Sequence, residues 1–99
     1  MSYLYPDVEL PLVSVTVTYT GASPEEMETL ITRPIEDRVS QVAGIKTLSS
    51  TVREGYSQTT LEFELGVDPR EMASEVREKV ASVRRRLPDD IDEPVVQRF

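Results

Sequence analysis

One short signature occurs twice in this chain: Gly21-Ala22-Ser23-Pro24-Glu25-Glu26-Met27 returns as Gly66-Val67-Asp68-Pro69-Arg70-Glu71-Met72. Each copy has the chemistry of a helix start. Ser23 and Asp68 offer oxygens to the free backbone N–H groups of a first turn, Pro24 and Pro69 suit its first position, and Glu26 and Glu71 complete a capping box. Met27 and Met72 then open apolar stripes. A strand-like segment precedes each copy and another follows each helix, so the chain divides into two strand-helix-strand halves. That order is the split βαβ arrangement: an α+β, ferredoxin-like βαββαβ sandwich with two helices on one face of a four-stranded antiparallel sheet.

The elements follow from periodicity. Val13, Val15, Val17 and Tyr19 alternate with Ser14, Thr16 and Thr18, the signature of a half-buried first strand with Tyr19 in its buried register. The first helix is expected over 24–42, with Met27, Ile31, Ile35, Val39 and Val42 inward and Gly44 supplying a left-handed end. Pro34 lies inside it and removes a backbone donor, which predicts a bend or a loosened turn rather than two separate helices. Strands over 45–53 and 56–65 flank Glu54-Gly55, a tight hairpin. In the third strand Thr59, Leu61, Phe63 and Leu65 alternate with Gln58, Thr60, Glu62 and Glu64. The second helix is expected over 69–87, with Met72, Val76, Val80, Val83 and Leu87 inward and Pro88 as its stop. The acidic run 89–94 connects it to a fourth strand over 95–99.

With 99 residues, 38% of them hydrophobic, the chain suits one small domain. Residues 1–4 are read as a start or linker and 5–99 as the domain. A net charge of −7 without histidine argues against a nucleic-acid surface. Arg84-Arg85-Arg86 is read as a solvated helix end favoured by the dipole. Cysteine is absent, so no disulfide, thiol nucleophile or thiolate metal site is expected. No apolar run approaches the roughly 20 residues that span a bilayer, and the N-terminus lacks a signal-peptide layout.

Two helices on one side leave the other side of the sheet open, lined by Ser14, Thr16, Thr18, Thr47, Ser49, Thr51, Gln58, Thr60, Glu62 and Glu64. The RNA-binding version of this architecture carries aromatics on the central strands of that face, where this chain offers Thr, Ser and Gln. Enzyme constellations are poor: no His or Cys is present and the serines have no base nearby in sequence. Asp89, Asp90, Asp92 and Glu93 lack the alternating ligands and turn glycine of a calcium loop and read as a solvated linker. Glu62 and Glu64 read as an exposed strand face. No catalytic residue, metal site or cofactor is expected.

A family resemblance is carried by Tyr5-Pro6-Asp7-Val8, Pro11 and the strand to Tyr19, and the first copy of the signature through Glu28. It continues in order through Pro34-Ile35-Glu36, Val42-Ala43-Gly44-Ile45-Lys46, Leu48-Ser49-Ser50, the run from Phe63 to Asp68, and Leu87-Pro88-Asp89-Asp90-Ile91. Together these resemble the segment after the first transmembrane helix of resistance-nodulation-division (RND) efflux transporters.

The resemblance implies the first porter subdomain in the periplasmic part of a proton-driven, trimeric multidrug exporter of a bacterial inner membrane. By that analogy Thr16, Thr18 and Gln58 lie near the substrate path, and the helix bearing Met72, Val76, Arg77 and Val80 is the pore helix. It implies as partners the other subdomains and protomers, a periplasmic adaptor, an outer-membrane channel and small hydrophobic or amphiphilic substrates held weakly. The proton-relay residues of such pumps lie in transmembrane helices outside this sequence, so the chain alone is expected to be non-catalytic, soluble and monomeric. The alternatives are a stand-alone ferredoxin-like domain that binds a metabolite or dimerises through its sheet, and an engineered scaffold of the same fold.

Overall fold

The computed structural model describes residues 11–99. The expected linker 1–4 and the Tyr5-Pro6-Asp7-Val8 part of the resemblance lie outside the described residues. Strands β1 (Leu12–Thr18), β2 (Ile45–Arg53), β3 (Tyr56–Phe63) and β4 (Val95–Arg98) form one antiparallel sheet in the order β2-β3-β1-β4. The first crossover runs through α1 (Pro24–Met27), a π-helical stretch (Glu28–Thr32) and α2 (Arg33–Val39); the second runs through α3 (Pro69–Val83) and a 3-10 turn (Arg84–Arg86). This is the expected α+β split sandwich.

The alternation in β1 and β3 sorts side chains as read: Val13, Val15, Val17, Leu61 and Phe63 are buried beneath Met27, Ile31, Ile35, Val39, Met72, Val76, Val80 and Val83. Their burial is the main driving force of the fold, since apolar area removed from water stabilises by about 25 cal/mol per Å².

The first helix shows why a mid-helix proline is tolerated here. Met27, Ile31, Ile35 and Val39 recur every four residues, and in an ordinary α-helix of 3.6 residues per turn such a stripe drifts about 40° per repeat. One wider turn takes up that drift. The amide of Arg33 donates to the carbonyl of Glu28, five residues back, and the π stretch ends just before Pro34, whose missing N–H is thereby accommodated. The loosened turn expected at Pro34 is this one. The helix stops at Val39 rather than residue 42; a turn through Gly44 (φ 85°) follows, and Val42 still packs in the core.

Other boundaries move too. β3 ends at Phe63, because the amide of Glu64 bonds to the carbonyl of Gly44, so Leu65 is 70% exposed rather than part of the apolar alternation. The regular helix α3 ends at Val83, and Leu87 reaches the core from beyond the 3-10 turn. The capping box forms at Ser23 with Glu26, whereas Asp68 accepts from the amide of Arg70 at 2.9 Å and the reciprocal bond from Glu71 does not form. At the hairpin Gly55 has φ 66°, and a Cβ there would stand 3.2 Å from the carbonyl oxygen of Tyr19, so a side chain is opposed by both backbone conformation and space.

Candidate functional site

The open face is built by the residues that alternate with the core. Cross-strand pairing sets Thr16 beside Gln58 and Val95, Thr18 beside Tyr56, and Ser49 beside Thr60. Thr16 and Gln58 meet directly, the Nε2 of Gln58 donating to Oγ1 of Thr16 at 3.5 Å, the long limit for such a bond. Thr18 stands two residues along the same strand, so the three substrate-path candidates share one half-buried patch at the centre of the sheet. Further out, Thr47 donates to Glu62 at 3.0 Å, while Glu64 lies past the end of β3 and is exposed.

Three features of this face depart from expectation. Thr18 already has a partner: its hydroxyl donates to the Asp92 carboxylate at 2.6 Å, and the Asp92 amide returns a bond to the Thr18 carbonyl at 3.1 Å. Tyr56 adds an aromatic ring to the face at the first residue of β3, with the Arg53 guanidinium 4.5 Å from its centroid. Ser14, expected as part of an open polar surface, is 1% exposed, and its hydroxyl has no hydrogen-bond partner among the described residues. It is a small side chain between the larger Thr60 and Gln97 on the flanking strands.

The acidic connector is braced rather than simply solvated. Besides the Thr18–Asp92 pair, Glu93 holds Arg84 (2.9 Å to Nη2 and 3.0 Å to Nε), and Arg84 also donates to the carbonyl of Pro88. Arg84 therefore leaves the expected solvated run, while Arg85 and Arg86 remain exposed. The Tyr19 hydroxyl titrates above its ordinary value, raised first by hydrogen bonding toward the Asp90 carboxylate, then by burial and the charges of Asp90 and Glu26. Tyr19 itself is half-buried against the core.

Hydroxyls also lie between the first helix and the sheet, where none was expected as a group. Thr32 contacts Ser57 at 2.7 Å, and Ser50 donates to Glu36 at 2.6 Å while contacting Thr59 at 2.9 Å. Of the pore-helix candidates, Met72, Val76 and Val80 point into the core; Arg77 is exposed and borders a groove of about 290 Å³ beside β4. No cluster of metal-ligating side chains occurs among the described residues, and none of their helices is long and apolar enough to cross a membrane.

Comparison with known proteins places this geometry. A model of the AcrB/AcrD/AcrF family matches residues 3–99. The swarming motility protein SwrC of Bacillus subtilis (strain 168) is 31% identical over 94 residues, which is 95% of this chain and 9% of SwrC. The chain thus spans about a tenth of the length of that relative.

Proposed function

The chain belongs to the AcrB/AcrD/AcrF family of RND transporters, and from that premise we propose that it acts as the first periplasmic porter subdomain of a proton-driven efflux pump. In that role it is non-catalytic alone. Its open sheet face forms a wall of the substrate path through Thr16, Thr18 and Gln58, and α3 carries the pore side of the subdomain. Because Met72, Val76 and Val80 hold α3 to its own sheet, they anchor the pore helix, and exposed positions such as Arg77 present its outer surface. The parent is a trimer in a bacterial inner membrane that works with a periplasmic adaptor and an outer-membrane channel and exports hydrophobic or amphiphilic compounds.

The observation that carries this reading is the family match over residues 3–99, together with a sheet that, among the described residues, has one face left uncovered by helices. Polar hydroxyl and amide groups on a rigid sheet suit weak, interchangeable contacts with passing amphiphiles better than a tight site, which pockets of convergent groups provide. The test is the reading frame around the chain. An apolar run of about 20 residues just upstream and further such runs downstream support a transporter part. A frame confined to this chain overturns it. A second check is direct: saturable micromolar binding of an amphiphile at Thr16 and Gln58 of the isolated chain contradicts a wall that holds substrates only weakly.

A further inference from the structure

The groove between α3 and β4 lies on the opposite side of the sheet from Thr16 and Gln58. Val80, Ala81, Pro94 and Val96 give it an apolar lining, the Arg84–Glu93 ion pair closes one end, and Arg77 stands at its rim. Arg84 is neutralised by Glu93, whereas Arg77 makes no ion pair among the described residues.

Among the described residues, the strand beside the groove is an edge of the sheet with defined polarity. The amide of Phe99 donates to the Leu12 carbonyl at 3.1 Å, and Gln97 and Val95 stand opposite Ser14 and Thr16. In an antiparallel ladder the bonding residues alternate, so Val95, Gln97 and Phe99 turn their backbone groups toward β1. Val96 turns both its N–H and its C=O outward, and Pro94 its C=O. The side chain of Val96 meanwhile points to the helix side, into the groove.

We propose that this edge and groove form a docking site for an extended acidic segment of a partner, added to the sheet as a further strand. Main-chain bonds to Val96 and Pro94 give it register, one apolar side chain fills the groove over Val80 and Val96, and a carboxylate two residues away pairs with Arg77. The spacing is commensurate: Arg77 lies about one helical turn, roughly 5 Å, from Val80 and Ala81, and side chains on one face of a strand recur every 7 Å or so. Charge complementarity selects this occupant over a second copy of the chain, whose own β4 offers Pro94, Val96 and Arg98 on that face and no carboxylate. The inference does not depend on the transporter reading.

The test titrates the isotope-labelled chain with a blocked peptide Thr-Glu-Thr-Val-Thr-Glu-Thr, which presents Glu, Val and Glu on one face in either strand direction. The expected result is a saturable shift centred on Val96, slowed exchange of its amide, and binding weaker by about tenfold or more for the counterpart with Lys in place of Glu. Arg77→Glu, at an exposed position that leaves the core intact, should reverse that preference, while Gln41→Ala, at an exposed position in the turn after the first helix and outside the groove, should leave peptide binding unchanged. Equal binding of the Glu and Lys peptides, shifts centred on Thr16 and Gln58 instead, or no saturable shift overturns the proposal. Protection of the Val96 amide by self-association without peptide overturns it in favour of a second copy.

Discussion

The hydroxyls of Thr32 and Ser57 lie 2.7 Å apart in the interior, and Thr32 also reaches the Met27 carbonyl at 3.2 Å. Thr32 has one proton, which goes to the carbonyl, so Ser57 is the donor in the pair. A short chain of bonds therefore ties the π turn of the first helix to the centre of the sheet, at a place where both side chains are at most 3% exposed.

Thr32→Val should accordingly cost about 1–3 kcal/mol, because it strands the buried Ser57 donor, and Ser57→Ala should cost less, about 0.5–1.5 kcal/mol, because Thr32 keeps its carbonyl. The double variant should fall short of the sum by at least about 0.5 kcal/mol. Urea unfolding of the four proteins checks this; strict additivity, or the reverse order of the singles, contradicts the assigned direction.

Pro34→Ala tests what sets the π turn. The proline permits the wide turn, but the stripe of Met27, Ile31, Ile35 and Val39, all essentially buried, requires it. The variant should keep the Arg33–Glu28 bond and lose only about 0.4–1 kcal/mol through a freer unfolded chain. Hydrogen exchange at the Arg33 amide reports the bond. A switch to ordinary α-helical bonding there would show that the proline, not the packing, imposes the turn.

How much was legible in the sequence follows from these cases. The strands and α3 could be read because their spacing matches an undistorted period: Met72, Val76, Val80 and Val83 average close to 3.6 residues per turn. The unbroken fours of the first helix also carried a signal, and Pro34 marked its place, although the π register itself was not read. Leu65 continued the alternation past the point where Glu64 turns toward Gly44, a bond that has no local signature. The Thr32–Ser57 pair is separated by 25 residues and the Thr18–Asp92 pair by 74, so neither has a local sequence signal. Such pairings depend on the assembled topology. The central location of Thr16 and Gln58 was legible because both lie in clear period-two strands; Tyr56 was missed because it is the first residue after the hairpin.

The Glu26 carboxyl titrates below its ordinary range, held down first by the backbone amide of Ser23 and then by the Ser23 hydroxyl. A folded-state value below the unfolded one contributes stability that is present above the unfolded value and lost as pH falls through the folded one. Ser23→Ala should raise the Glu26 titration toward the ordinary value and destabilise the chain at neutral pH, with the gap to the parent narrowing as Glu26 protonates. Carboxyl titration by NMR alongside thermal unfolding across pH 2–7 reads both effects. A gap that widens in acid contradicts the linkage.

The acidic connector 89–94 should respond locally. Thr18→Val removes the hydroxyl that donates to Asp92, so the Asp92 amide, 3.1 Å from the Thr18 carbonyl, should exchange faster. Because Asp92 is exposed, global stability should drop by less than about 1 kcal/mol. The amides of the β1–β3 ladder should be unaffected; if they exchange faster as well, Thr18 supports the sheet rather than the connector.

The open face and the core should separate cleanly when stability and transport are measured on the same variants. The Gln58–Thr16 bond is at its geometric limit and half-buried, so Thr16→Val and Gln58→Leu should change the unfolding free energy by no more than about 0.5 kcal/mol. Val76, on the inner face of α3, is fully buried, and Val76→Ala should cost roughly 1–3 kcal/mol through lost burial and a cavity. In a full-length transporter carrying this chain in the proposed role, the order reverses. If Thr16 and Gln58 line the substrate path as proposed, the two open-face variants should alter which amphiphilic compounds the cells tolerate at unchanged protein level, since they change the polarity of that face without disturbing its frame. Val76→Ala should lower tolerance to all compounds together, in proportion to the protein lost. If Gln58→Leu also lowers tolerance uniformly and in step with protein level, Gln58 belongs to the scaffold and the substrate path lies elsewhere.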